Sequence, residues 1–191
     1  MKYAMALCMM LMLLFAQSPE KEAAAFDGIF AQFKSNLGGK DYTGAYEKLH
    51  SALEIFWQRT PLLLRNVRFV KGEDNSFGIY EPKEGNSFAS GELLCLYLEP
   101  IGYAFVKNPA GYYEFGFSAD FTLEDADGNV LGGQKGFAKL DFNSWNHNTE
   151  VSLTFTYNFT GIEKGKYKVV THVMDAHSEK DATVDNWFFI N

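Results

Sequence analysis

The chain is 191 residues long, with 47% hydrophobic and 21% charged side chains, which is the composition of a folded globular protein and not of a disordered or collagen-like one. Its 17 basic and 24 acidic residues leave a net charge of −7. The clustered lysines and arginines that neutralise phosphate are missing, so neither nucleic acid nor an anionic membrane surface is expected as a partner.

Residues 1–16 read as a secretory signal peptide. Lys2 precedes an uncharged apolar run from Ala4 to Ala16 that ends in a small residue suited to cleavage. The run is too short for a hydrocarbon core of about 30 Å, which takes roughly 20 helical residues. Cleavage would leave no transmembrane anchor and place the mature chain in the periplasm or outside the cell. Cys8 departs with the signal, so Cys95 would have no intramolecular disulfide partner. Within the strand-like run LLCLYL it reads as a small buried hydrophobe.

Residues 17–61 predict an αα-hairpin. Phe26, Ile29, Phe30, Phe33 and Leu37 follow a helical period, and Tyr42, Ala45, Tyr46, Leu49, Leu53 and Phe56 resume it. Gly38 and Gly39 supply the stop between them, Asp41 is the N-cap of the second helix, and Pro61 closes the region. The segment GGKDYTGAYEKLHSALEIF resembles one unit of a tetratricopeptide repeat. A single unit cannot close a solenoid, so no repeat function follows. Two helices cannot bury two apolar stripes against each other alone, and the hairpin is expected to pack on what comes after it.

Beyond Pro61 the hydrophobic period changes to two. Tyr113, Phe115, Phe117, Ala119, Phe121 and Leu123 alternate with polar residues and glycine, as do Val151, Leu153, Phe155, Tyr157 and Phe159. Further strands are predicted near 63–71, 78–82, 92–99, 101–107, 130–139, 166–174 and 182–190, separated by turn-rich segments such as Asp127-Gly128-Asn129. The fold class is therefore mainly β, an antiparallel β-sandwich over residues 62–191 behind the αα-hairpin.

The stretch GKYKVVTHVMDAHSEKDATVDNWFFIN resembles the last strands of immunoglobulin-like and fibronectin type III-like sandwiches, with Tyr167 where those folds carry a tyrosine corner. Antibody domains have a cysteine two residues later, where this chain has Val169. Tyr80, Glu81, Pro82, Gly91, Glu92, Glu99, Pro100, Phe121, Leu123, Asp125 and Gly128 also match a pattern that resembles a group of exported bacterial proteins of unknown function. The resemblance implies an exported immunoglobulin-like sandwich and no activity.

Candidate sites are sparse. Asp125, Asp127 and Asn129 suggest calcium, but Gly128 comes one ligand too early for an EF-hand and suits a tight hairpin turn better. His172, Asp175 and His177 are weak metal candidates, because strand alternation sends the two histidines to opposite faces. No nucleophile elbow, zinc-binding helix motif or phosphate loop is present, and Gly132-Gly133 lies between strands. Carboxylates such as Glu99 and Asp120 would meet only through the fold. No catalytic residue is assigned and no cofactor is expected.

Aromatic residues make up 16% of the chain. Most take inward strand positions, while Tyr112, Trp145 and Trp187 fall at a strand end, in the polar loop NSWNHN with His147, and in the last strand. These four residues are the candidate ligand-binding set, for a protein partner or a carbohydrate. The expected function is that of a non-enzymatic interaction module of the cell envelope, with a carbohydrate-binding module as the alternative.

Overall fold

The computed structural model describes residues 19–191; the predicted signal segment, residues 1–16, lies outside them. Two helices come first, α1 (Pro19–Gly38) and α2 (Tyr42–Arg59). The strands that follow are β1 (Leu63–Val70), β2 (Ser87–Phe88), β3 (Leu94–Ile101), β4 (Val106–Lys107), β5 (Tyr113–Asp125), β6 (Val130–Ser144), β7 (Leu153–Tyr157), β8 (Gly165–Asp175) and β9 (Asp181–Ile190). The fold is mainly β with a helical pair at its N-terminal side, as the two hydrophobic periods predict. Two compact units meet in sequence between Phe56 and Trp57, so the last turn of α2 belongs to the second.

In the first unit Asp41 caps α2, its Oδ1 accepting the Gly44 N–H at 2.9 Å. Helix α1 stops at Gly38, where the glycine pair is expected to end it. The left-handed residue is Lys40, with φ of 60°, and neither Gly38 nor Gly39. The Gly39 and Lys40 amides close onto the carbonyls of Ser35 and Leu37 at 3.0 and 3.1 Å, which satisfies the helix end without a left-handed glycine. Among the described residues of this unit, the buried hydrophobic side chains are Ala45 and Ala52, while Phe30, Leu37, Tyr42, Tyr46, Leu49 and Leu53 are exposed. Phe26, Ile29, Phe33 and Ile55 are half-buried.

In the second unit β1, β3 and β7 form an antiparallel sheet in the order β1-β3-β7. The larger sheet runs β2-β9-β8-β5-β4, with β6 also paired to β5. All its pairings are antiparallel except β2 on β9. Alternation places Leu94, Leu96 and Leu98 of one sheet in a single core with Phe115, Phe117, Ala119, Val169, Val173 and Phe188 of the other. Trp57 joins this core, its indole N–H donating to the Tyr103 carbonyl at 3.0 Å and its ring meeting Tyr103 edge to face.

Strand β3 is buried on both faces. Its other side carries Cys95, Tyr97 and Glu99, with Val70 and Tyr80 packed beside them. The Gly78 N–H donates to the Tyr97 hydroxyl at 3.0 Å, and the Tyr80 ring lies 4.2 Å from that of Tyr97. The strand predicted near 78–82 is thus absent. Ser76 and Ile79 exchange backbone hydrogen bonds in a turn, and Pro82 makes one bridge to Val70. The strand predicted over 101–107 shrinks to β4, because Gly102 turns the chain at φ of 82° with its α-carbon so close to Pro61 that a side chain would strike the Pro61 carbonyl.

Leu96 has no solvent-exposed surface, and Leu96→Ala is expected to cost about 2–5 kcal/mol in urea unfolding. Leu131→Ala, at an exposed site, should change stability by less than about 0.5 kcal/mol in the same measurement.

Candidate functional site

Three surfaces carry the residues singled out from sequence. The first lies where β5 begins and β6 ends, since Tyr113 pairs with Ser144 and Lys107 of β4 pairs with Tyr113. Trp145 follows β6 directly and is 74% exposed. Its ring stands edge to face with Tyr112, centroids 5.9 Å apart at 82°. His147 stacks on Phe105 at 4.8 Å and lies 4.2 Å from Tyr113, and the Lys107 ammonium sits 5.6 Å from the Tyr113 centroid. Sequence reasoning passed over Phe105, Tyr113 and Lys107 here, because only the β4–β5 pairing brings them alongside the loop.

Trp187 does not join this cluster. It pairs with Lys168, which pairs with Glu124, at the far end of β5 from Tyr113. At about 3.3 Å per residue, the eleven steps from Tyr113 to Glu124 place it some 36 Å away. There the ammonium groups of Lys166 and Lys168 lie 4.3 and 5.6 Å from the indole centroid. Lys168 also pairs with Glu124 at 2.7 Å, and this hydrogen bond raises its pKa above the usual lysine value.

The second surface is a groove of about 410 Å³ on the outer face of the larger sheet, lined by Asp120, Thr122, Gln134, Val170 and His172 among others. Asp120 and His172 are cross-strand partners. A carboxylate only accepts, so the 2.8 Å contact assigns the proton to His172 Nε2, which donates to Asp181 Oδ2. Asp120 Oδ1 accepts the Gly136 N–H at 2.6 Å. Gly133 borders the groove where a side chain would collide with the Phe121 carbonyl, which accounts for one glycine of the Gly132-Gly133 pair.

The third surface is the turn after β8. Asp175 is buried there, its carboxylate accepting from the Ala104 N–H at 2.7 Å, the His177 N–H at 2.9 Å and the Ser178 hydroxyl at 2.6 Å. Lys180 donates to the carbonyls of Gly102 and Gln58 at 2.6 and 3.1 Å, and burial lowers its pKa. His172 points instead to Asp181 on the sheet face, so the three weak metal candidates are not brought together. Among the described residues no group of three or more His, Cys, Asp or Glu side chains is placed to hold a metal ion.

The carboxylates Glu99 and Asp120 do not meet. Glu99 is buried on the outer side of the smaller sheet, accepting from Asn66 Nδ2 at 2.6 Å and from the Tyr97 hydroxyl at 2.8 Å, whereas Asp120 lies on the outer side of the larger one. Asn66 makes its bond from a left-handed backbone, φ 51°, at the irregularity that divides β1. Burial pushes the Cys95 thiol up from its ordinary pKa, as expected of an inert buried cysteine.

The DADGN sequence forms a hairpin turn, with Gly128 at φ of 87°. Asp125 Oδ1 accepts the amides of Asp127 and Asn129, each at 2.9 Å, and Oδ2 accepts Asn129 Nδ2 at 2.8 Å. The Asn129 side chain is the main cause holding the Asp125 pKa below the usual carboxylate value.

No protein-family model matches the chain, and no curated protein does. Among solved structures it is similar to Spo0M, a sporulation control protein from Bacillus subtilis, at 12% identity and a TM-score of 0.36 over 69% of this chain. The likeness spans half the length of Spo0M. It is also similar to a superoxide reductase (neelaredoxin) from Ignicoccus hospitalis, and to a point variant of it. Those matches have 12% identity and a TM-score of 0.27, over 57% of this chain and 77% of those. Likenesses at this level carry no inference about activity. No helix among the described residues is long and apolar enough to cross a membrane.

The lowered pKa of Asp125 sets a pH dependence. Its stabilisation is fully present above the unfolded aspartate value of about 3.9 and is lost as pH falls through the lower folded value. Thermal melts should therefore show a smaller loss of Tm below about pH 4 for Asp125→Asn than for the parent chain.

Proposed function

We propose that this chain is an exported, non-enzymatic module of the cell envelope, periplasmic or secreted, that binds a protein partner through the aromatic end of its larger sheet. The scaffold is read as an immunoglobulin-like sandwich. Support for that reading comes from the strand order, in which β1, β3 and β7 correspond to the A, B and E strands, and β5, β8 and β9 to C, F and G. The Tyr167 hydroxyl donates to the Glu163 carbonyl, four residues upstream, at 2.9 Å, as a tyrosine corner does. Val169 fills the core where antibody domains place their second cysteine. The export part of the proposal rests on residues 1–16.

The observation that carries the binding reading is Trp145, a largely exposed indole held at the end of a long strand by Tyr112. Tryptophan is a frequent hot-spot residue, because a rigid aromatic buries a large area at small entropic cost. The carboxylates of Asp125, Asp175 and Glu99 are each engaged by two or more donors, an arrangement suited to holding turns and strands rather than transferring protons. A carbohydrate ligand is the second reading, favoured by the indole face beside the polar residues Asn146 and Asn148. The edge-to-face arrangement counts against it, since Tyr112 and Trp145 do not form one flat platform.

The test is binding of the purified chain to envelope fractions, either untreated, protease-treated or glycosidase-treated. Protease is expected to abolish binding, and Trp145→Ala to weaken it about thirty-fold, the equivalent of a 2 kcal/mol hot spot. Binding that survives protease and is lost after glycosidase treatment would replace the protein partner with a glycan. Undiminished binding by Trp145→Ala would overturn both readings.

A further inference from the structure

The helical hairpin half-buries Phe26, Ile29, Phe33 and Ile55 but leaves a second set of large apolar residues outside. Ala45 and Ala52, one heptad apart, are buried, while Tyr42, Tyr46, Leu49 and Leu53 of α2 and Phe30 and Leu37 of α1 are 40–67% exposed. The four α2 positions recur at steps of 4, 3 and 4, the spacing of a coiled-coil seam, and Phe30 and Leu37 are themselves one heptad apart. A single surface results. At 100° per residue, the exposed stripe of each helix lies about a quarter-turn, in the same rotational sense, from that helix's least exposed positions. These are Ala45 and Ala52 on α2, and Phe26, Ile29, Phe33 and Asn36 on α1. Reversing the direction of one helix, as the short turn at Gly39–Asp41 does, brings both stripes to the same side of the hairpin.

We propose that this side is a homodimer interface, and that two copies of the chain pair their hairpins into a four-helix bundle. The area argues for a second copy. At roughly 200 Å² per large side chain, the six residues expose on the order of 600 Å². That matches the largest apolar patch a typical monomer shows, and it is about three quarters of the roughly 800 Å² that each partner buries in a standard interface. Flanking small residues can supply the remainder. Among the described hydrophobic residues of the first unit only Ala45 and Ala52 are buried, with Phe26, Ile29, Phe33 and Ile55 half-buried, and pairing two such hairpins would complete a core that one hairpin leaves small. Charge does not favour an anionic lipid surface, because the described hairpin residues whose side chains are placed carry four acidic groups (Asp27, Asp41, Glu47, Glu54) against four basic ones (Lys34, Lys40, Lys48, Arg59) and so no cationic excess. This interface is separate from the Trp145 surface and does not depend on the proposed function.

Sedimentation equilibrium of the purified full chain tests the proposal. The expected mass is twice that of the 21.6 kDa protomer at micromolar concentration. The double variant Leu49→Glu with Leu53→Glu should shift the population to monomer and weaken dimerisation at least 100-fold. Its β-sheet circular dichroism should be unchanged, because both side chains are exposed and outside the second unit. A chain carrying Leu49→Cys should in addition form a covalent dimer on mild oxidation, with Cys8→Ser and Cys95→Ser in place to exclude other pairings. A parent chain that is monomeric at 100 µM would overturn the proposal. So would a monomer that floats with phosphatidylcholine vesicles, or a dimer that the double variant leaves intact.

Discussion

The second unit is organised around β3, which is buried on both faces although it belongs to a sheet of three strands. Leu94, Leu96 and Leu98 serve the core between the sheets, and Cys95, Tyr97 and Glu99 face the other way into a second, smaller packing layer. Burying polar groups on that outer side is tolerable only with partners. The Tyr97 hydroxyl donates to Glu99 and accepts from Gly78, while Glu99 also accepts from Asn66. The connection between β1 and β2 is thereby tied down, although it contains little regular structure. The left-handed backbone at Asn66 belongs to the same arrangement, since the amide it presents is one of the two donors to a buried carboxylate.

The change of period at Pro61 made the helical pair and most long strands legible, because a residue's face is set by local geometry once the element is known. Tyr167 was legible for a related reason: its hydroxyl reaches only four residues back along the chain. What depended on distant contacts was not. The run around Ile79 has strand-like composition, yet it lies over a strand face and pairs almost nowhere. Gly38 and Gly39 marked the stop of α1, but that Lys40 would be the left-handed residue was not visible, since the turn's hydrogen bonds decide which residue bears the strain. The candidate binding set was half legible. Trp145 and Tyr112 were recognisable as aromatics outside the core pattern, but their meeting, and the distance of Trp187 from both, follow from the β5–β6 and β8–β9 registers.

The polar chemistry of the molecule is largely inward-looking. Asp175 and Lys180 fasten the turn after β8 to the backbone around Gly102 and the end of α2, and Asp125 organises the β5–β6 hairpin. Carboxylates committed to backbone amides rigidify the turns that carry exposed side chains, and a rigid surface binds with less entropic loss than a mobile one. The same division of labour holds at the aromatic end. Phe105, Tyr113 and His147 stack among themselves and leave Trp145 as the group that projects.

Strand β6 pairs only with β5 among the described residues, so one side of a 15-residue strand is an open edge of the larger sheet. Long, regular edges of this kind are templates for runaway association between chains. Here the ladder is interrupted near Gly136, whose φ of 59° and whose amide, drawn to Asp120, break the regular row of donors and acceptors; Lys135 and Lys139 flank the break with like charge. By holding one amide out of the regular row, Asp120 interrupts at this point the continuous edge that an incoming strand would need for pairing.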